Sequence, residues 1–369
     1  MQKIITAENN YAELDKYIID SGCKNIMLVC DESLMFLNIK NYFDSLEERL
    51  NVTMTRFSNF SPNPLYESVV EGVELFHQNH CDIIIAVGGG SAMDVAKCIK
   101  LYSNMDDSQN YLKQKIIPND IPFLTVPTTA GTGSEATRYA VIYFNGEKQS
   151  VADNSCIPSV VLMDSSVLKT LPEYQKKSTM LDALCHAIES FWSVNSTDES
   201  REYSMSAIQL IFANKEAYLA NEESGNTEML KAAHIAGKAI NITQTTAGHA
   251  MCYKLTSLYG IAHGHAAALC VSKLFPFMVH HTNECIDSRG EGFLKTIFAE
   301  IADAMDCENA DEACLKFDEL FDSLNLSIPV ATEEDFEILK NSVNPTRLKN
   351  NPVNLKSEDI ELLYKGILL

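Results

Sequence analysis

Asp182 and His186 stand four residues apart in a stretch from Ser178 to Trp192 that contains neither Pro nor Gly. Such a stretch reads as helix. Residues at i and i+4 share one helix face, so this carboxylate and imidazole can reach a common point. Taken alone, the pair reads more readily as a solvated or self-satisfied face. Two later histidines, His249 and His263, change its meaning. They lie fourteen residues apart, ~21 Å on one straight helix, which is too far to share an ion. They can meet only if the chain breaks and folds back, and Gly260 is the expected break. Three imidazoles and one carboxylate form a donor set that suits Fe(II) or Zn(II) and leaves room for a substrate oxygen.

Two glycine-rich turns supply a second chemistry. Gly88-Gly89-Gly90-Ser91 follows the apolar run Asp82 to Val87 and precedes a helical pattern with Met93, Val95, Ala96 and Ile99. Glycine lets backbone approach a phosphate closely, and a helix N-terminus offers unpaired N–H groups. The spacing is not G-x-G-x-x-G, so a simple tight turn fits as well. The second turn, Thr128 to Ser134, again ends a strand pattern, where ligands collect on a doubly wound sheet. Asp31 ends an earlier apolar run, Asn25 to Cys30. There it reads either as an acceptor for a ribose hydroxyl that would repel a 2′-phosphate, or as a solvated loop acid.

The elements that must position these groups fall into two halves. Asn25–Cys30, Asn51–Phe57, Asp82–Val87, Phe123–Val126 and Val160–Met163 read as strands, with a helix over Leu65–Asn79. Strand and helix alternate, which implies right-handed βαβ units and a parallel sheet. Tyr139–Phe144, Asn145-Gly146 and Lys148–Val151 spell a hairpin with a type I′ turn. From about Leu171 the strand signals stop. Helical patterns cover Tyr174–Asn195, Glu199–Asn221, Thr227–Thr243, Ala266–His281, Phe293–Met305, Asp311–Leu324 and Ser357–Ile367, the last with Ser357 as its expected N-cap. The expected organisation is an α/β domain over 1–168 followed by an all-α domain over 169–369, with a cleft between them.

Composition bounds the rest. The chain has 369 residues, 46% of them hydrophobic, and a net charge of −21. That length suits two domains, and the acidity argues against nucleic acid and anionic membrane surfaces. Eleven scattered cysteines without a CxxC pair fit reduced thiols in a cytoplasmic protein. Cys185 and Cys252, beside the candidate ligands, read as small buried apolar residues. The run Met1-Gln2-Lys3-Ile4-Ile5 is too short for a signal peptide, and no apolar run approaches the ~20 residues that span a bilayer.

Taken in order, the motifs resemble those of the iron-containing (group III) alcohol dehydrogenases, almost end to end. Gly88 to Lys97 resembles that family's GGGSxxDxAK, Pro127 to Glu135 its PTTAGTGSE, and Met180 to Glu189 its MDALxHAIE. His249-Ala250-Met251 and Ala262-His263-Gly264 resemble its HAMAH and PHG segments. The resemblance implies a dinucleotide-binding α/β domain, a helical domain and a site in the cleft. It implies Asp182, His186, His249 and His263 as metal ligands. Gly88, Gly89, Gly90, Ser91 and Asp94 would hold the pyrophosphate and nicotinamide side, and Thr128, Thr129 and Ser134 would line the dinucleotide. Asp31 falls where the family's NAD-selecting acid falls, favouring NAD(H) over NADP(H). A homodimer or larger homo-oligomer is implied too.

Two departures bear on substrate. The second histidine of HAMAH is Tyr253 here, and the family's CTGGNPR segment is replaced by Ser342 to Pro352. These segments, with Glu135 to Arg138, are similar to phosphonoacetaldehyde reductases. The resemblance therefore implies a small anionic aldehyde, reduced to its alcohol. Arg138, Lys254, Arg347 and Lys349 are the candidate anion-binding cations, Arg offering a planar bidentate fork. Tyr253 is the candidate catalytic residue, as a proton donor or as a hydrogen bond to the anion. The alternatives are an iron-type alcohol dehydrogenase for a neutral short alcohol, diol or aldehyde, a non-redox enzyme of the dehydroquinate-synthase type, and a fold that has lost its chemistry.

Overall fold

The computed structural model describes residues 2–7 and 11–368. Met1 lies outside the described residues, so the N-terminal apolar run is seen from Gln2 onward. The chain divides into two compact units. The first comprises Met1–Thr129, Gly133–Leu171 and Asn221–Leu230, the second Ala130–Thr132, Pro172–Ala220 and Lys231–Leu369.

In the first unit, strands β1 (Lys3–Thr6), β2 (Asn25–Cys30), β3 (Thr53–Phe57), β4 (Ile83–Gly88), β5 (Phe123–Pro127) and β8 (Val160–Met163) form one sheet. Its order is β1-β8-β5-β4-β2-β3, and every pairing is parallel. β2 and β4 are apolar almost throughout and buried along their length, as a sheet covered on both faces requires. The α-helices of this unit are α1 (Ala12–Ser21), α2 (Lys40–Asp44), α3 (Leu46–Leu50), α4 (Tyr66–Gln78) and α5 (Gly90–Tyr102), with the N-terminal part of α8 (Glu223–Thr243). Strands β6 (Tyr139–Phe144) and β7 (Glu147–Ala152) make a separate antiparallel ribbon. Its turn has positive φ at both Asn145 (52°) and Gly146 (77°), as a type I′ turn demands.

The second unit is helical: α6 (Glu173–Trp192), α7 (Asp198–Leu219), the C-terminal part of α8 (Glu223–Thr243), α9 (Ala247–Tyr259), α10 (His263–His280), α11 (Glu291–Ala304), α12 (Ala310–Ser323), α13 (Glu333–Ser342), α14 (Pro345–Leu348) and α15 (Ser357–Ile367). Among the described residues no helix is long and apolar enough to cross a membrane. The α/β-then-helical architecture matches the sequence expectation. Details differ for local reasons. β3 starts at Thr53 rather than Asn51, because Asn51 takes a left-handed conformation to cap α3. β1, α1, α2, α3, α9, α13 and α14 were not among the expected elements. β1 is too short to show a pattern, as are α2, α3 and α14 at five residues or fewer. Ser357 is not the N-cap of α15: it lies inside the first turn, and the backbone N–H of Lys356 donates to Asp359 at 2.8 Å. An acceptor three residues into the helix satisfies that end and draws Ser357 in.

α10 packs on α6 through Gly264. A Cβ there would stand 2.6 Å from Asp182 Cβ and 2.9 Å from its backbone N, and would also strike the Ser178 carbonyl. Replacing Gly264 by Ala should therefore destabilise the metal-free protein by about 3 kcal/mol or more, the upper range for overpacking. Gly146→Ala, in open space at φ 77°, should cost only ~1 kcal/mol from its left-handed backbone. Urea unfolding of both variants checks this, and equal losses would refute the close-packing account.

Candidate functional site

The helix α6 is uninterrupted through Asp182 and His186, and both are buried on it. α9 ends at Tyr259, Gly260 takes φ 66°, and α10 begins at His263. The chain thus turns back between the two later histidines. Ligand atoms of Asp182, His249 and His263 all lie within 4.8 Å of one another. His249 Nε2 is 3.4 Å from Asp182 Oδ1. His186 is outside that group of three, and its ring stacks on His249 at 4.4 Å between centroids. Its Nδ1 is buried with no hydrogen bond of ordinary geometry, and the Gly131 backbone near the ring favours the protonated form.

A fifth residue, absent from the sequence reading as a site, holds the cluster from behind. Glu189 is fully buried on α6, with its Oε2 against His249 Nδ1. Its Oε1 accepts from the Thr246 hydroxyl at 2.6 Å, the Thr246 N–H at 3.0 Å and the His249 N–H at 3.2 Å. A carboxylate on the far nitrogen of an imidazole fixes its tautomer and aims the near nitrogen. The signal was present: Glu189 is seven residues from Asp182 and three from His186, hence on the same helix face.

These groups shape one another's ionisation. Burial alone would lower His249, but Glu189 and Asp182 outweigh it and lift it to about 9. Burial would raise Asp182, yet the histidines around it hold it well below the usual carboxylate range. His186 is lowered by burial, Asp182 opposing, which favours the neutral imidazole. Burial would raise Glu189 too, and His249 overrides it.

Tyr253, one turn along α9 from His249, stacks on His263 at 5.3 Å. The Arg347 guanidinium lies 5.9 Å from the Tyr253 ring centroid and donates to Thr245 Oγ1 at 2.9 Å. Burial pushes the Tyr253 phenol well above its ordinary value, with Arg347 pulling the other way. Cys252 Sγ is 3.6 Å from His263 Nδ1. The structure thus brings Tyr253 and Arg347 to the cluster. Lys254 is half-buried on α9, and Lys349 is exposed just after α14. Arg138 belongs to the first unit, where it donates to the Tyr139 hydroxyl at 2.8 Å.

The remaining candidates gather in the first unit. The strand order reverses between β2 and β4, and a crevice at the carboxyl ends of such strands is where open α/β sheets bind ligands. Asp31 ends β2 and accepts from the Ser33 N–H at 2.8 Å. Gly88 ends β4, and a Cβ there would stand 2.5 Å from Ala92 Cβ and 3.7 Å from Asp31 Oδ2. Gly89, Gly90 and Ser91 lead into α5, and a Cβ on Gly89 would meet Thr129 at 3.3 Å. The Thr128 N–H is tied to the Gly88 carbonyl at 3.0 Å. Asp94 and Ser134 are held differently. The Ser134 hydroxyl donates to Asp94 at 3.0 Å, and Asp94 also accepts from the Val141 N–H at 3.1 Å. Lys97, fully buried, donates to Ser134 O and Oγ, Thr137 Oγ1 and Tyr139 O. This network fixes the loop from 134 to 141 against α5. Lys97 was legible as a helix lysine among apolar neighbours, a position where an ammonium needs several acceptors.

Fold and motif geometry define a two-part α/β-plus-helical protein with a largely buried Asp/His cluster. Residues 1–165 match the family described as iron-containing alcohol dehydrogenase, and residues 176–368 match the C-terminal part of the Fe-containing alcohol dehydrogenase family. The chain belongs to that family. It is 29% identical over 305 residues to the aldehyde-alcohol dehydrogenase of Streptococcus pneumoniae, which is 76% of this chain but only 34% of that protein. The chain thus matches about a third of that relative's length. It is 29% identical over 296 residues to the phosphonoacetaldehyde reductase of Streptomyces viridochromogenes, covering 76% of this chain and 74% of that one. The crystal structure of sulfoacetaldehyde reductase from Bifidobacterium kashiwanohense in complex with NAD+ superposes with a TM-score of 0.88 at 25% identity, over 99% of this chain and 96% of that one.

The pair of Glu189 and His249 carries a pH signature. A group whose pKa rises on folding adds stability below its unfolded value of ~6.5, and loses it as pH climbs to the folded value. Asp182 and Glu189, both lowered, stay ionised in this window and contribute no slope. With His249 at about 9, metal-free protein should lose up to about 3 kcal/mol between pH 6.5 and 9. Urea unfolding of wild type and Glu189→Gln at both pH values tests this. The wild-type minus variant difference should shrink toward pH 9, and a constant difference would remove the pairing.

Proposed function

We propose that the chain is a metal-dependent, dinucleotide-linked oxidoreductase that reduces a short anionic aldehyde to its primary alcohol, phosphonoacetaldehyde being the favoured substrate. In this reading residues 1–168 bind the dinucleotide and 169–369 bind metal and substrate. The observation that carries it is the convergence of buried Asp182 and His249 with half-buried His263, their ligand atoms within 4.8 Å, with His186 stacked alongside. The donor chemistry fits Fe(II), as the family name suggests, and Zn(II) also suits such a set. The buried position of His186, stacked on His249 and close to Asp182, supports ligation there. For the dinucleotide, Asp31 beside Gly88 at the reversal of strand order supports NAD(H) over NADP(H). Eleven free cysteines support a reducing, cytoplasmic setting.

A bound metal supplies Lewis acidity toward a carbonyl oxygen, and bound NADH supplies hydride. The chain's own residues do the rest. Asp182, His186, His249 and His263 hold the metal, and Glu189 keeps His249 aimed. Arg347 presents a fixed guanidinium to an anionic group. Tyr253, its phenol pushed upward by burial, stays protonated at neutral pH and acts as a hydrogen-bond donor toward substrate. Arg138, Lys254 and Lys349 remain further candidates for the anion. The second reading, a dehydrogenase for neutral short alcohols, draws support from the resemblance to an aldehyde-alcohol dehydrogenase.

NADH oxidation by Fe(II)- or Zn(II)-loaded protein, with phosphonoacetaldehyde and propionaldehyde side by side, separates the two. A kcat/KM at least about a hundredfold higher for the phosphonate, ~2.7 kcal/mol of transition-state recognition, is expected. Arg347→Ala should remove most of that ratio. Equal rates would leave only the neutral-substrate reading. Separately, His263→Ala should abolish turnover and metal retention while NADH binding persists. Near-normal activity in that variant without metal would discard the ligand assignment.

A further inference from the structure

The link from α8 to α9, Gln244-Thr245-Thr246, touches both functional groupings of the second unit through adjacent side chains. Thr246 occupies the N-cap position of α9, yet its hydroxyl caps nothing in that helix. A Thr at an N-cap ordinarily bonds a backbone N–H of the first turn. Here the hydroxyl donates to Glu189 Oε1 at 2.6 Å and accepts from Trp192 Nε1 at 2.8 Å. The helix end is satisfied instead by Glu189, through the N–H groups of Thr246 and His249. Thr245 faces the other grouping. Its hydroxyl accepts from Arg347 Nη1 at 2.9 Å and its carbonyl from Asn350 Nδ2 at 3.1 Å. Asn350 is itself clamped, its Oδ1 accepting from Asn195 at 3.1 Å and its carbonyl from the Val194 N–H at 3.1 Å. Gln244, at φ 60°, sits in a left-handed conformation uncommon for a side-chain-bearing residue. It also meets Asn350 Nδ2, at 3.3 Å. A backbone held this way at both ends is set by its surroundings rather than by local preference.

We propose that Thr245 and Thr246 are positioning residues with separate tasks: Thr246 sets metal affinity through Glu189 and His249, and Thr245 sets selectivity for anionic aldehydes through Arg347. The Thr245 half rests on the substrate reading above, whereas the Thr246 half does not. Neither residue was a candidate from sequence. Their side chains diverge from one short link, so the two properties are separable by single substitutions.

The test uses full-length protein with Thr245→Val, Thr245→Ser, Thr246→Val and Thr246→Ser, and Thr246→Ala should the valine variant not fold. Two readouts are taken. One is Co(II) affinity, from the visible absorption of the metal-loaded protein. The other is the ratio of kcat/KM for phosphonoacetaldehyde to that for propionaldehyde. Thr246→Val should weaken Co(II) binding by about tenfold, the low end for losing an outer partner of a ligand, with the ratio within about threefold of wild type. Thr245→Val should lower the ratio by about tenfold and leave Co(II) affinity within about threefold. The serine variants, which keep the hydroxyl, should stay near wild type in both. Co(II) affinity unchanged in Thr246→Val, or both readouts moving together in either variant, would overturn the division. If wild type prefers the phosphonate and Arg347→Ala removes that preference, an unchanged ratio in Thr245→Val overturns the Thr245 assignment alone. If wild type shows no preference, the substrate reading and the Thr245 half fall together, and the Co(II) titration still decides Thr246.

Discussion

One buried carboxylate fixes the candidate site. Glu189 has no exposure, and a charge so placed is tolerated only when paired and hydrogen-bonded on every lone pair. Its Oε2 meets His249, and its Oε1 takes three donors from the start of α9. The positive end of that helix adds to the same balance. The register of α9, the path of the link before it and the direction of the His249 ring are therefore one constraint. Moving any of them would strand a charge in a dry interior, which is far less favourable than the loss of one surface hydrogen bond. This is why a metal-type cluster can be held by helices from distant parts of the chain.

Glycines set the distances between those helices. Gly264 lets α10 approach α6 within reach of Asp182, Gly248 lets α9 approach Glu189, and Gly131 lies against Thr179. At each place a Cβ would fall within 3.1 Å of another residue. Each contact brings backbone close to a segment that bears a candidate ligand or its partner. Aromatic stacking finishes the arrangement: His186 on His249, and Tyr253 on His263. Imidazoles packed face to face in this way are poorly placed to swing toward solvent. That favours a preformed donor set over one assembled on binding.

The parts legible in sequence were those with a strong local signature. Continuous apolar runs gave β2, β4 and β5 nearly to the residue, and Asn145-Gly146 gave the hairpin. Gly260 was readable as the break because two candidate ligands fourteen residues apart require one. β1 was not readable, since four residues with one buried side chain show no period. Ser357 misled because capping propensity is local while the acceptor that mattered, Asp359, lies three positions on. Glu189 shares a helix face with Asp182 and His186 by spacing, but a glutamate in a helix reads as a solvated face until burial is known. Thr245 and Thr246 could not be found from sequence at all. Their partners are 57 residues away on α6 and 102 residues away at α14, separations that no spacing rule reaches.

The charge of the chain gives Arg347 its significance. At net −21, a cation near carboxylates is readily neutralised. Arg49 meets Asp15, Arg201 meets Asp198 and Glu300, and Arg289 meets Asp287. Arg347 is held otherwise. Among the described residues its side chain is placed by the Thr245 hydroxyl and the face of Tyr253, both uncharged. Neutral partners fix the direction of a guanidinium without cancelling its charge. A carboxylate in place of Thr245 would hold the same geometry more tightly and cancel that charge. The choice of a hydroxyl there is thus a statement about charge as much as about position.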